Sequence, residues 1–594
     1  MNVPDLVKDA GPSPRAWRWI LLLAVVLQLP SLRLGFFIDD HLHQLALADE
    51  TGLVPIPRWN VYDFGRTADW QAFASEHGSS PWWTDPDWKA RFLRPLPSLL
   101  LNVEHAVFGH RALGYHVVSL ALWLLLVVLA RRLYVGLGLS RGATLAALLV
   151  LVTTDASSVP VAWIANRNAL LEGLFTVAAL GTVLGLGPPP GRRQALTGVL
   201  LALLAALCKE SGLVALLLVA LVLDARGRTV GGAQRRHLRA AAGLALALAL
   251  TWVGVFVLGD YGTRSGYYAT PWVDPLRALG HLALLATGGM LSVLGPFSLD
   301  AAAAFPEHRL ALSLVLGTLG LLVGVPLVRR GVRAIGGRPR MGWMAAWATV
   351  ALLPRSGVLP GDRLLFVPTL ALAPLLGTLW AVERAHWARV GRVPRAFLLS
   401  LGFSTIVLSG LFLVAQNAGL ASIAEHLRTT TLAADVGPVG SGRRDGLVLQ
   451  TESQMQAFAL GPTWLGEGGD PDVRFQLLQA GARPLRWSHP AEDVHEFESL
   501  GTPFLIAPFE SVYRSTTAPP TTGDRWRGDT FTVEATRVGA DGLEAIRLTF
   551  DPPDPGVVRL FLRSENGVLA PVEGPPVGAT VELAAPVRAG PFTP

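Results

Sequence analysis

Two adjacent carboxylates, Asp39 and Asp40, stand in GFFIDDHLHQLAL, just beyond the first long apolar segment. Acids beside an apolar helix end are costly unless solvated or used. Neighbours on a helix point about 100° apart, so only one of the two faces a given site. The bland reading is a solvated helix terminus; the functional one is a base that takes a proton from a hydroxyl.

Cations and amides recur in four further stretches. They are Arg94 in FLRPLPSLLLN, Asn166 and Arg167 in VAWIANRNALLEG, Lys209 with Glu210 in ALCKESGL, and Arg355, Asp362 and Arg363 in PRSGVLPGDRLLFVP. Each has its own plain explanation. Trp163 and its polar neighbours suit an interfacial cap, Lys209 and Glu210 neutralise one another, and Arg363 snorkels. Lys209 stands out even so, because the chain has only three lysines.

The elements that must position these residues are membrane helices. Hydrophobic residues make up 51% of the 594 positions and charged residues 16%, against about 25% charged in soluble domains. Apolar runs cover 17–34, 113–130, 142–153, 164–187, 195–207, 212–224, 240–259, 310–328, 341–353, 364–381 and 396–415. This predicts about 11 crossings, several shorter than the roughly 17–25 residues of a full span. Segment 279–295 is read as a re-entrant or interfacial helix. Lys8, Arg15 and Arg18 precede the first run, with no small-residue cleavage site after it, as for an uncleaved anchor.

Arginine-rich connections 131–141, 188–194, 225–239, 329–340 and 382–395 alternate with 154–163, 208–211 and 354–362, which carry few cations. Positive loops stay inside, which puts the N-terminus in the cytoplasm. The unusual polar residues then gather on the outer face. The same alternation accounts for much of the pI near 9.8 and removes nucleic acid as a partner.

Near residue 417 the composition changes. FTVEATRV, GADG and LEAIRLTF predict a hairpin, and VVRLFLRS with VLAPVE around Asn566-Gly567 a second. The expected fold is mostly α: a polytopic helical membrane domain over 1–416, with an outer loop at 35–112, and a periplasmic α/β or β-rich domain over 417–594. The single cysteine, Cys208, excludes an intrachain disulfide.

One outward acid pair with cations at headgroup level suits transfer of a sugar from a polyprenyl phosphate to an acceptor hydroxyl. The breaking bond has oxocarbenium character; a carboxylate takes the acceptor proton and cations hold the departing phosphate. FIDD, RPLPSLLLN, GYHVVSLALWLL, VAWIANRNALL, LLAALCKESGL and DRLLFVPTLAL occur in this order. In that order they resemble the GT-C superfamily of lipid-carrier-dependent glycosyltransferases, above all the protein O-mannosyltransferases and bacterial relatives of the transmembrane-and-tetratricopeptide O-mannosyltransferases.

The resemblance implies a catalytic carboxylate at Asp39 or Asp40, with Asp39 favoured. Lys209, Glu210 and Arg363 match positions at the carrier phosphate, and Arg94, Asn166, Arg167 and Asp362 join them as candidate substrate-binding residues. It implies a dolichyl- or undecaprenyl-phosphate sugar as donor and inversion at the anomeric carbon. The chain departs from the family at TTDASSVP, where Asp155 stands in place of a histidine and glutamate, and at Ala169. The family's tetratricopeptide tail is replaced by a different C-terminal domain.

The acceptor is expected to be a protein, lipid or glycan, and the location a bacterial inner membrane. The alternatives are an inactive membrane scaffold and a lipid or solute transporter. A transporter calls for inverted repeats and charges at the bilayer midplane, and neither is visible. Asp39, Asp40, His41, His43, Asp49 and Glu50 could coordinate a divalent ion, but their spacing matches no metal motif and the acids serve equally well as base and solvated loop, so metal use is open and not the favoured reading.

Overall fold

The computed structural model describes residues 11–49, 54–65, 68–77, 80–185, 188–295, 297–300, 308–335, 339–387, 390–438, 442–514, 519–552 and 556–587. Lys8 and Glu50 lie outside these. The chain divides into two compact units: 1–34, 92–261 and 269–421 form the first, and 35–91, 262–268 and 422–594 the second.

The first unit is helical and apolar both inside and out. Trp123, Leu126, Leu151, Leu180, Phe366 and Leu370 are fully enclosed, while Leu250, Leu258, Leu276 and Leu310 project outward from the same bundle. A helix that is apolar all round belongs in a membrane or a large core. Among the described residues eight helices are long and apolar enough to cross a bilayer, or nine if Arg141–Thr153 and Asp155–Ala162, bent by 56°, count as one. The protein is an integral membrane protein. The shorter helices Arg192–Cys208, Leu213–Arg228 and Pro339–Val350 complete the bundle.

The segment expected to be a re-entrant or interfacial helix is the 20-residue helix Pro275–Leu294, long and apolar enough to cross a bilayer though shorter and less apolar than Gly232–Leu258 and Leu310–Arg333. It packs on Arg309–Ile335 closely enough that a Cβ at Gly320 would stand 2.0 Å from the Thr287 carbonyl oxygen. Small residues at such a contact let membrane helices approach. Polar atoms inside the bundle find backbone acceptors: the Trp123 ring N–H bonds the Ala24 carbonyl at 3.2 Å and the Tyr134 hydroxyl that of Leu370 at 2.8 Å.

The second unit holds all the strands. β1 (Asp63–Phe64), β2 (Lys89–Arg91) and β3 (Gly262–Arg264) form a small antiparallel sheet. β4 (Arg444–Gln450), β5 (Val473–Leu477), β11 (Val558–Glu565) and β12 (Val568–Pro571) form a four-stranded sheet in the order β12-β11-β4-β5, with β11, β4 and β5 parallel. β6 (Leu485–Ala491), β7 (Val494–Ser499), β8 (Arg525–Arg527), β9 (Phe531–Gly539), β10 (Gly542–Phe550) and β13 (Thr580–Leu583) form a sheet ordered β13-β6-β7-β10-β9-β8. Both hairpins expected from the sequence are present, as β9–β10 and β11–β12.

The domain boundary differs from the sequence expectation. Most of the outer loop packs into the C-terminal domain rather than the membrane bundle, because its aromatic side chains find their acceptors there. The Trp82 ring N–H donates to the Leu478 carbonyl at 3.1 Å and that of Trp88 to Val512 at 2.8 Å. The Asp85 amide donates to the Tyr513 carbonyl at 2.9 Å, and the Gln476 amide side chain to Ser75 at 2.6 Å.

Candidate active site

Helix Arg192–Cys208 stops at Lys209, whose backbone is extended (φ −158°, ψ 147°), and the chain turns back through a 3-10 turn at Glu210–Gly212. Only glycine fits at 212: a Cβ there would lie 2.1 Å from the Ala205 carbonyl oxygen. This tight reversal sets Lys209 and Glu210 side by side at the tip of a helical hairpin.

Three cations and two carboxylates meet at that tip. Arg94, stacked 4.2 Å over the Phe92 ring, donates to both Glu210 oxygens at 2.9–3.2 Å. Arg355 donates to both oxygens of Glu172 at 2.8 and 3.0 Å, and the Ser211 hydroxyl donates to Glu172 at 2.8 Å. The Lys209 side chain is half-buried and forms no hydrogen bond or ion pair among the described residues. Burial first, and then the charge of Arg94, push its ammonium down to about 7. With each arginine matched to its own glutamate, the remaining positive charge is that of Lys209.

Arg167 is placed differently. It is 2% exposed and committed to Glu104, with its guanidinium also donating to the Tyr115 carbonyl at 3.0 Å and the Ser119 hydroxyl at 3.2 Å. That geometry is a staple between helices 95–108, 112–136 and 167–184, with no donor turned toward a ligand. Burial pushes the Glu104 carboxyl up and Arg167 draws it back. Asn168 donates to the Ala165 carbonyl at 2.7 Å. Asn166 is half-buried, with its enclosed Nδ2 without a partner among the described residues.

Asp362 accepts from the Ser292 hydroxyl at 2.8 Å, the Ser298 hydroxyl at 2.5 Å and the Leu299 amide at 2.8 Å. Asp155 is enclosed at 1% exposure, and among the described residues neither carboxylate oxygen has a side-chain partner. Burial and then the charge of Asp362 raise the Asp300 carboxyl to about 7, while half-buried Arg363 pulls it back. Asp362 and Arg363 therefore belong to a second cluster, of three acids and one arginine.

The two acids of the first outer loop lie in the second unit, at the start of helix Asp39–Ala48. Their roles divide. Asp40 is buried and its carboxylate accepts the Phe37 amide at 3.0 Å, closing the turn that starts the helix. Asp39 is half-buried. The turn is strained: Ile38, β-branched, has φ +49°, an outlier of about 1–3 kcal/mol that persists only where surroundings impose it.

Glu172, Glu104, Asp155 and Asp300 are parts of these clusters that sequence reasoning left without roles. The signal for Glu172 was available, as a lone acid one turn inside an apolar span. No group of three His, Cys, Asp or Glu side chains among the described residues has metal-holding geometry; buried His43 packs against the Tyr62 and Phe64 rings, with centroids at 4.6 and 5.8 Å.

No protein-family model matches the chain, and no curated protein matches it in sequence. Among solved structures, ArnT from Cupriavidus metallidurans bound to undecaprenyl phosphate aligns with 80% of this chain and 93% of its own, at 14% identity and TM-score 0.40. The oligosaccharyltransferase of Archaeoglobus fulgidus, in complex with an inhibitory peptide and a dolichol-phosphate, aligns with 77% of the chain at 12% identity and TM-score 0.41. The chain spans 64% of that protein's length. A mycobacterial arabinofuranosyltransferase, AftD, aligns with 79% of this chain and 33% of its own, at 14% identity and TM-score 0.38. These are weak likenesses.

Proposed function

We propose that the protein is a GT-C-type glycosyltransferase that moves a sugar from a polyprenyl phosphate to an acceptor hydroxyl on the outer face of a bacterial inner membrane. The observation that carries this reading is Lys209, whose side chain has no hydrogen bond or ion pair among the described residues, at the tip of an apolar hairpin and beside two arginines held by glutamates. A phosphate monoester or diester is the ligand such a point charge fits, and its lipid tail suits the apolar helices that carry the tip.

In this reading Lys209 neutralises the departing polyprenyl phosphate, with Arg94 held beside it on Glu210. Glu172 and Arg355 fix the floor beneath them. Asp39 takes the acceptor's proton as the acceptor oxygen attacks the anomeric carbon, and the carbon–phosphate-oxygen bond breaks with inversion. Asp362 and Arg363 are candidate substrate-binding residues. Arg167 works as a staple, and Asn166 offers an amide. The acceptor is a protein, lipid or glycan hydroxyl.

The test is release of undecaprenyl phosphate from undecaprenyl-phosphate-linked pentoses and hexoses by the purified protein in nanodiscs. Lys209→Ala is expected to weaken undecaprenyl phosphate binding at least tenfold. Unchanged affinity removes the phosphate role, and absence of release from every donor removes the reaction.

A further inference from the structure

The residue immediately before Asp39 is in a conformation that a β-branched side chain does not hold unaided. What surrounds that turn comes from the C-terminal domain. The parallel strands β4 and β5 carry helix Gln454–Gly466 through Trp464, whose ring packs edge-on against Phe475 of β5 at 5.4 Å and whose N–H bonds the Asp470 carbonyl at 2.9 Å. The last residue of that helix, Gly466, lies against His41. A Cβ on Gly466 would stand 2.8 Å from both the Cβ and Nδ1 of His41 and 3.0 Å from its Cγ. The atom in the way is next to the backbone, so helix Asp39–Ala48 itself would have to move.

Two more contacts act at the same place. The Glu467 carboxylate lies 3.7 Å from His41 Nδ1. The buried Tyr513 feels Asp39 directly, since burial first and the Asp39 charge second raise its phenol above the ordinary range. Helix Asp39–Ala48 makes its own end bonds, from the Asp40 amide to the Phe37 carbonyl at 3.0 Å and from the His41 amide to Ile38 at 3.1 Å. These hold the turn's shape, and the C-terminal domain holds the turn in place.

We infer that the C-terminal domain is a positioning element for the base: Gly466 and Glu467, pressed on His41, hold the strained Phe37–Asp40 turn so that Asp39 keeps one orientation. Gly466 and His41 are thus positioning residues, and the domain acts through them rather than on the acceptor. The inference rests on the reading of Asp39 as base for its catalytic consequence and on geometry alone for its structural one.

The experiment uses the full chain in nanodiscs with two variants. Gly466→Ala is expected to raise amide exchange of residues 37–42 at least tenfold and to lower the rate of undecaprenyl phosphate release at least tenfold. The donor KM and undecaprenyl phosphate affinity should stay within twofold. Ile38→Gly frees the turn and also deletes a buried side chain, so it is expected to raise amide exchange of residues 37–42 and lower the release rate by a similar factor with the donor KM within twofold, a split that a purely structural role does not produce. Wild-type exchange in Gly466→Ala overturns the clamp. Raised exchange with an unchanged rate overturns its catalytic part. If the wild-type protein releases nothing from any donor, the proposed reaction falls and the exchange arm alone decides the clamp.

Discussion

Arg355 and Glu172, 183 positions apart in the chain, form a two-oxygen ion pair in which both side chains are almost wholly enclosed. Removing one member leaves a buried charge without its counter-ion, at a cost of about 3–5 kcal/mol. Glu172→Gln is therefore expected to lower the thermal stability of the detergent-solubilised protein sharply. The double variant Glu172→Gln with Arg355→Met should recover most of it. A double variant as unstable as the single one would mean that the pair is not the source of the loss.

Lys209 ties carrier binding to pH. Only its protonated form attracts a phosphate, and its ammonium titrates near 7. Affinity for undecaprenyl phosphate should fall as pH rises above about 7, by up to tenfold per unit. Lys209→Arg, charged throughout, should lose that limb while keeping any limb due to the phosphate itself. The sign for folding is opposite. The folded value lies below the ordinary lysine value, so the ligand-free protein gains stability as pH climbs from 7 toward that value. Parallel pH titrations of binding and melting temperature check both directions.

The neighbouring acids should separate cleanly. Asp39→Asn keeps the size and the helix start but cannot take a proton, and is expected to lower transfer roughly 10²–10⁴-fold with carrier affinity intact. Asp40→Asn weakens a buried carboxylate bond to the Phe37 amide, so its main effect should be a stability loss of about 1–3 kcal/mol. Measured rates and melting temperatures that reversed this order would exchange the two assignments.

Asn566 and Gly567, with φ +50° and +88°, turn β11 into β12. Both central residues of such a turn are left-handed, which suits this pair. Asn566→Val should cost about 1 kcal/mol or more and show first as faster exchange in Val568–Pro571.

That hairpin was legible because Asn-Gly between alternating apolar residues has few other uses, and the apolar runs were legible because a bilayer fixes their length. Helix Pro275–Leu294 meets a limit of the same signal. A count of loop charges decided its depth, whereas its packing against Arg309–Ile335 depends on glycines, which carry no hydropathy signal. Arg94, Lys209 and Glu210 could be assembled from sequence because two of them are adjacent and the third is the charged residue of a short motif. Arg167 looked like a ligand contact from its two flanking asparagines. Its partner, Glu104, lies 63 positions earlier, and nothing in local pattern links them. The membership of the outer loop was hidden for the same cause: the ring N–H groups of Trp82 and Trp88 donate to backbone carbonyls far along the chain.

This last relation has a consequence in time. The ring N–H of Trp88 finds its acceptor 424 positions later, and Gly466 follows His41 by a comparable stretch. At roughly 5–20 residues per second, a ribosome spends tens of seconds between making the acid turn and making what seats it. During that interval the nascent chain already has its membrane helices, while the Phe37–Asp40 turn still lacks the Gly466 contact. Synthesis therefore makes the lipid-facing helices first and the partners of the outer loop last.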